Sequence, residues 1–181
     1  MKGIVFTEFL ELVETKFGLD VVDKITQQAN LPSGGAYTAI GTYEFAEMLS
    51  LLQQLSNLTQ LSIDDLLLTY GEHFFEVVKR DYSEFISVYE DPIELLSSIE
   101  NHIHVEVQKI YPEAELPTFE IVEKTSDKLV MIYTSSRAMY NFGLGLMYKT
   151  FEHYDTKANI TLEKLNTIGT EVKFSIKKTN E

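Results

Sequence analysis

The chain has 181 residues, 44% of them hydrophobic, enough for one sizeable core or two small lobes that share one. With 28 acidic against 15 basic side chains the formal net charge is −13, which argues against a polyanion partner, because displacing counterions from a nucleic acid requires a basic face. The absence of cysteine excludes disulfides and every thiolate-based metal or cofactor attachment. Acidic residues interrupt the apolar positions of the opening stretch MKGIVFTEFLELVET, unlike a signal peptide, and no window approaches ~18 consecutive apolar residues. These features predict a soluble, cytoplasmic protein.

The first half reads as helices. Ile4, Val5, Phe9, Leu12 and Val13 form a helical stripe ending near Gly18, and Val21, Val22, Ile25 and Ala29 suggest a second helix. The breaker stretch LPSGGAY follows, after which Thr42 is a candidate cap for a third helix carrying Phe45, Met48, Leu49, Leu52 and Leu55. Ser62 and Asp65 approximate a capping box ahead of Leu66, Leu67, Tyr70, Phe74 and Val77. A short helix is expected around Tyr82 to Val88. Asp91, Pro92 and Glu94 then make the clearest start signal, as N-cap, first helical residue and box partner. The helix they open carries Leu96, Ile99, Ile103, Val107 and Ile110 and stops at Tyr111-Pro112.

Beyond Pro112 the texture changes. TFEIVEK and KLVMIYTS read as a hairpin turning near Ser126-Asp127, a helix spans Tyr140 to Tyr154, and ANITLEKLN and TEVKFSIKK alternate as two further strands around Gly169. The tail KKTNE is expected to fray. The fold class is α+β: helices to about Tyr111, then strand-strand-helix-strand-strand, as lobes of one module.

Two stretches invite a chemical reading. In YTSSR, alternation along a strand would turn Tyr133, Ser135 and Arg137 to one side, a ladder of donors ending in a fork suited to a carboxylate or phosphate. The plain alternative is an edge strand with a polar outer face. In HIHVE, His102, His104 and Glu106 would form a metal triad on a strand, but on a helix residues two apart point roughly 200° apart and cannot converge on one ion. A regular helical wheel does not choose between the histidines, since both sit roughly 100° from the centre of the apolar stripe. His73 and His153 have no supporting spacing.

Taken in order, the start MKGIVF, His104 seven residues before Tyr111-Pro112, Pro117, the Tyr133-x-Ser135-x-Arg137 signature and the succeeding MYNFGLGL resemble the H-NOX domains. These are haem nitric oxide/oxygen sensors related to the haem lobe of soluble guanylate cyclase, and the resemblance spans essentially the whole chain. It implies a single domain, with a distal helical lobe over about residues 1–60 and a haem-holding lobe with a four-stranded antiparallel sheet over about 61–181, haem b lying between them without covalent attachment. It implies His104 as the iron ligand, with His102 a bystander. Tyr133, Ser135 and Arg137 would hold the haem propionates and Pro117 would press on the porphyrin. The apolar walls would be Val5 and Phe9 on the first helix, Phe74, Phe75 and Val78 on the helix after SIDD, and Leu144 after the signature, with Gly143 and Gly145 letting backbone approach the macrocycle.

In oxygen-binding relatives a distal tyrosine stands where this chain has Phe142, so the resemblance implies binding of NO and CO with O₂ excluded. NO binding would weaken the bond to His104, and the output would pass to a separate partner, a sensor histidine kinase or a cyclic-di-GMP synthase or hydrolase. A haem-free acidic protein-interaction module is the alternative of a different class. A metalloenzyme built on His102, His104 and Glu106 is a third.

Overall fold

Residues 1–179 are described by the structure, a computed structural model. Two helices open the chain, α1 (Gly3–Phe17) and α2 (Leu19–Gln28). Gly18 separates them at φ 90°, a left-handed backbone that glycine adopts without a Cβ penalty, and its N–H closes α1 on the Glu14 carbonyl. Helix α3 (Phe45–Thr59) buries Met48, Leu51, Leu52 and Leu55, whereas Leu49 is 45% exposed, so the inward stripe lies two residues from where the sequence placed part of it. Thr42 does not cap α3. It pairs with Lys2 in an isolated bridge and accepts from Lys2 Nζ at 2.9 Å, which ties the chain start to the segment before α3.

Helix α4 (Ile63–Asp81) starts as its capping signal predicts: Ser62 Oγ accepts the Asp65 N–H at 3.1 Å and donates to the Asp65 carboxylate at 2.6 Å. The short α5 (Glu84–Ser87) leads to α6 (Pro92–Ser97), where Asp91 Oδ1 accepts the N–H of Ile93 at 2.8 Å. Glu94 does not reach back as a box partner. Its carboxylate accepts from Lys124 at 2.8 Å, and Asp91 takes Lys178, so α6 is pinned to the strands beneath it.

The single helix expected from Pro92 to Ile110 is interrupted. After Ser98 the chain widens into a π-helical turn, Ile99–Ile103, before α7 (His104–Ile110). The His102 and Ile103 N–H groups both reach the Ser98 carbonyl, at 2.8 and 3.4 Å, and the His104 N–H reaches back five residues to Ile99.

Strands β1 (Thr118–Lys124), β2 (Lys128–Thr134), β3 (Ala158–Lys164) and β4 (Glu171–Lys178) form one antiparallel sheet in the order β1-β2-β4-β3, with α8 (Tyr140–His153) between the hairpins. Leu129, Met131 and Tyr133 of β2 stand opposite Ile176, Phe174 and Val172 of β4, so one sheet face is a continuous apolar layer. Ile93 and Leu96 of α6 and Leu144, Met147 and Phe151 of α8 cover it. Lys177 and Lys178 belong to β4 rather than to a frayed tail, and Asn180 and Glu181 lie outside the described residues.

Helices α4 and α8 join this half to the helical half, backbone against backbone. A Cβ on Gly71 would sit 2.0 Å from the Phe142 carbonyl oxygen, and one on Gly145 2.2 Å from that of Leu68. Gly145 therefore serves helix contact rather than approach to a macrocycle. A Cβ on Gly143 would meet no atom within 4 Å. Among the described residues no helix is long and apolar enough to cross a membrane.

Candidate functional site

The two histidines that a regular wheel leaves equivalent are separated by the π turn. His102 Nδ1 lies 2.7 Å from the Tyr89 hydroxyl, a structural hydrogen bond. His104 follows the widened turn and leaves 13% of its side chain exposed. Its Nδ1 is fully buried without a hydrogen-bond partner, and the nearest acceptor, Glu100 Oε1, stands 3.6 Å away, just beyond bonding range. Burial lowers the His104 pKa, against the opposing pull of Glu100, and so favours the neutral imidazole. A neutral, otherwise uncommitted imidazole is what an iron ligand requires. No group of three or more His, Asp or Glu side chains suited to a metal ion occurs among the described residues, so His102, His104 and Glu106 do not make a triad.

From His104 a run of rings leads to the signature. The Phe119 centroid is 6.0 Å from that of His104 and 5.6 Å from that of Tyr133. Tyr133 is buried at the end of β2, but the strand stops at Thr134, so the predicted three-step strand ladder is not how the signature is built. Ser135 turns the chain: its Oγ accepts the Arg137 N–H at 3.2 Å and its carbonyl accepts the Ala138 N–H at 3.2 Å, with Ala138 at φ 50°. Burial pushes the Tyr133 phenol up, against the lowering effects of the neighbouring Ser135, the Met139 backbone and Arg137. The three donors thus share one neighbourhood through a turn. Arg137 lies 5.7 Å from the Phe45 ring and bonds the Glu115 carbonyl at 2.9 Å and the Glu115 carboxylate. Its fork already recognises a carboxylate.

The apolar residues divide into three groups. Phe74 and Phe142 are 5.4 Å apart between centroids, Tyr70 lies 5.0 Å from Phe142 and 5.3 Å from Phe9, and the Tyr70 hydroxyl donates to the Val5 carbonyl at 2.5 Å. Phe75 and Val78 turn away from Phe74 and pack with Ile86, Leu95, Ile103 and Leu146. Leu144 joins the sheet-covering layer with Tyr133 and Tyr140. Leu146, four residues from Phe142 on one helix face, was not singled out from sequence, and Ile103, beside His104, was read only as part of an apolar stripe; the i, i+4 spacing from Phe142 was the available signal for Leu146. Pro117 is half-buried just ahead of β1.

These residues fit haem. His104 offers an uncommitted imidazole, Arg137 already holds a carboxylate, and space lies open over Gly143. Val5, Phe74, Val78, Ile103, Phe119, Phe142 and Leu146 are only half-buried, unlike Leu51 and Leu52 at 0% exposure, so they have apolar surface left for a large flat ligand.

A family profile described as Haem-NO-binding matches residues 2–162. The H-NOX protein from K. algicida in its Fe(II) unliganded state is 65% identical, with a TM-score of 0.98 over 100% of this chain and 98% of that one. The IWP-051-bound H-NOX from Shewanella woodyi in the Fe(II)CO ligation state is 31% identical, with a TM-score of 0.83 over 99% and 95% of the two chains. An H-NOX protein from S. oneidensis in the Fe(II)NO ligation state, 22% identical with a TM-score of 0.89 over 99% and 100%, shares the fold. Among curated protein sequences, none matches. The family match over most of the length, joined to high identity over the whole, establishes that the chain belongs to the Haem-NO-binding, or H-NOX, family.

Proposed function

We propose that the chain is a cytoplasmic haem sensor that takes NO and CO, excludes O₂ and regulates a separate signalling partner without catalysis of its own. The observation that carries the reading is the buried imidazole of His104, one ring away from the Tyr133-Ser135-Arg137 donors. Bound without covalent attachment, haem b supplies a ferrous iron that takes a diatomic gas. His104 would hold the iron, Tyr133, Ser135 and Arg137 would hold the propionates, and Pro117, Val5, Phe9, Phe74, Phe75, Val78, Phe142 and Leu144 would supply the apolar surroundings.

Discrimination against O₂ rests on Phe142 itself, which carries no hydrogen-bond donor where oxygen-binding relatives have a tyrosine. Bound O₂ draws negative charge and needs a hydrogen bond, whereas NO and CO depend on one far less. The nearest phenol, Tyr70, gives its proton to the Val5 carbonyl. Tyr140 is buried on the sheet side, with Lys164 Nζ 4.9 Å from its ring, and Tyr148 is 39% exposed. The ligation states of the S. oneidensis and Shewanella woodyi proteins support NO and CO as ligands. By resemblance, the partner is a sensor histidine kinase or a cyclic-di-GMP synthase or hydrolase.

Titration of the reduced protein with NO, CO and air tests this directly. NO and CO are expected to displace the Soret band, and air to give no stable oxygen-bound spectrum. A persistent oxygen-bound spectrum, or indifference to NO, contradicts the reading.

A further inference from the structure

Glu100 stands between the iron ligand of the proposed sensor and the first strand of the sheet. One carboxylate oxygen, Oε2, accepts the Phe119 N–H at 2.6 Å, which anchors the group on β1. The other, Oε1, stands 3.6 Å from His104 Nδ1. The two residues are four apart, and the π turn between them sets this approach, with the His104 N–H bonded to Ile99 rather than to Glu100. Nδ1 has no other acceptor: the other close neighbour of the ring is Phe119, an aromatic face, and His102 is committed to Tyr89. A buried ring nitrogen close to an anchored carboxylate is the arrangement from which metal-bound histidines are oriented in general.

We propose that Glu100 is a positioning residue for His104, taking the Nδ1–H and thereby presenting the Nε2 lone pair to the iron. The inference rests on the haem-sensor reading above. A small rotation of His104 brings Nδ1 to about 3 Å from Oε1, an ordinary hydrogen bond. The carboxylate then serves two donors at once, one oxygen each, and adds anionic character to the imidazole, which strengthens its bond to iron. Because Oε2 holds the start of β1, any displacement of His104 is felt at that strand.

Glu100→Gln separates this role from a merely structural one. A glutamine amide has one carbonyl oxygen, so it can keep the Phe119 N–H, and with it the local fold, but cannot also take Nδ1–H. Resonance Raman spectroscopy of the reduced, haem-loaded protein is expected to show the iron–histidine stretch at lower frequency in both Glu100→Gln and Glu100→Ala than in the wild type. In the haem-free full chain, nitrogen-15 NMR is expected to find His104 protonated at Nδ1 in the wild type, with that preference lost in Glu100→Ala. A stretch that is present and unmoved in both variants overturns the positioning role and leaves the sensor reading intact. A wild type with no haem and no such stretch overturns the sensor reading, and the role built on it, together.

Discussion

Arg137 lays its guanidinium against Glu115, bonding both the backbone carbonyl, at 2.9 Å, and the side-chain carboxylate. The pair is unequal: 15% of the Arg137 side chain is exposed against 82% of the Glu115 side chain. The guanidinium is the buried member of the pair, so on the proposed haem-sensor reading a propionate would take the place of Glu115.

Loss of the fork should therefore be felt in cofactor retention. A hydrogen bond to a charged group contributes about 1.5–3 kcal/mol, so Arg137→Ala is expected to release haem roughly 10- to 100-fold faster, measured as transfer to an excess of a haem acceptor protein. Glu115→Ala removes only an exposed ion pair and should change stability by about 0–1 kcal/mol, with haem retained.

Close contact between α4 and α8 sets a second expectation. In Gly145→Ala the new methyl would fall 2.2 Å from the Leu68 carbonyl oxygen, forcing two backbones apart. Overpacking of this kind costs about 1–3 kcal/mol, and each kcal/mol lowers Tm by about 2–4 °C in a chain of this size. Gly143→Ala is the control, since its methyl meets nothing within 4 Å and a helical glycine-to-alanine change stabilises by about 0.5–1 kcal/mol. Calorimetry of the two haem-free variants should move in opposite directions.

Asp91 makes stability depend on acid pH. Burial works against its carboxylate, but Lys178 and the N–H groups of Ile93 and Glu94 outweigh it and hold the pKa below the ordinary aspartate value. A lowered folded-state pKa means stabilisation that is complete above the unfolded-state value, about 4, and lost as pH falls through the folded-state value. Asp91→Ala is expected to cost about 1 kcal/mol at neutral pH as a lost N-cap. In denaturant melts the gap from wild type should narrow below about pH 4. A gap that stays constant well below about pH 4 would contradict the assignment.

At residue 142 the expectation concerns oxygen. Phe142→Tyr adds a phenol beside Phe74 and Tyr70, whose own hydroxyl is already committed to the Val5 carbonyl. Stopped-flow spectroscopy of the reduced variant in air should show a longer-lived oxygen-bound spectrum than the wild type, with NO binding retained. An unchanged lifetime would mean that a donor at this position does not suffice.

How much of this was legible in the sequence varies by element. Capping at Ser62 and Asp91 was readable because cap geometry is local, β4 because its apolar and polar residues alternate, and β2 as a short apolar run, which fits the burial of Val130 as well as of Leu129, Met131 and Tyr133. The π turn was not: Ile99–Ile103 contains neither proline nor glycine, and its widening coincides with the bond from Glu100 to Phe119, a contact nineteen residues away. The choice between His102 and His104 depends on that turn, so periodicity alone left it open and family resemblance supplied it. Glu100 was missed for the same reason. The signature donors were identified correctly as neighbours but for the wrong geometric reason, because a turn at Ser135, rather than strand alternation, gathers them. Leu144 and Phe75 illustrate a further limit: both are apolar and inward, yet one joins the sheet layer and the other a cluster with Ile86 and Leu95, separate from that of Phe74. Hydrophobicity tells inside from outside and not which inside.

The most direct measurement is the visible absorption spectrum of the full chain, expressed with ample haem supply, beside that of His104→Ala. The account expects an intense Soret band in the wild type that is lost or displaced in the variant. A colourless wild type, or a variant with the same band and the same iron ligation, would contradict it.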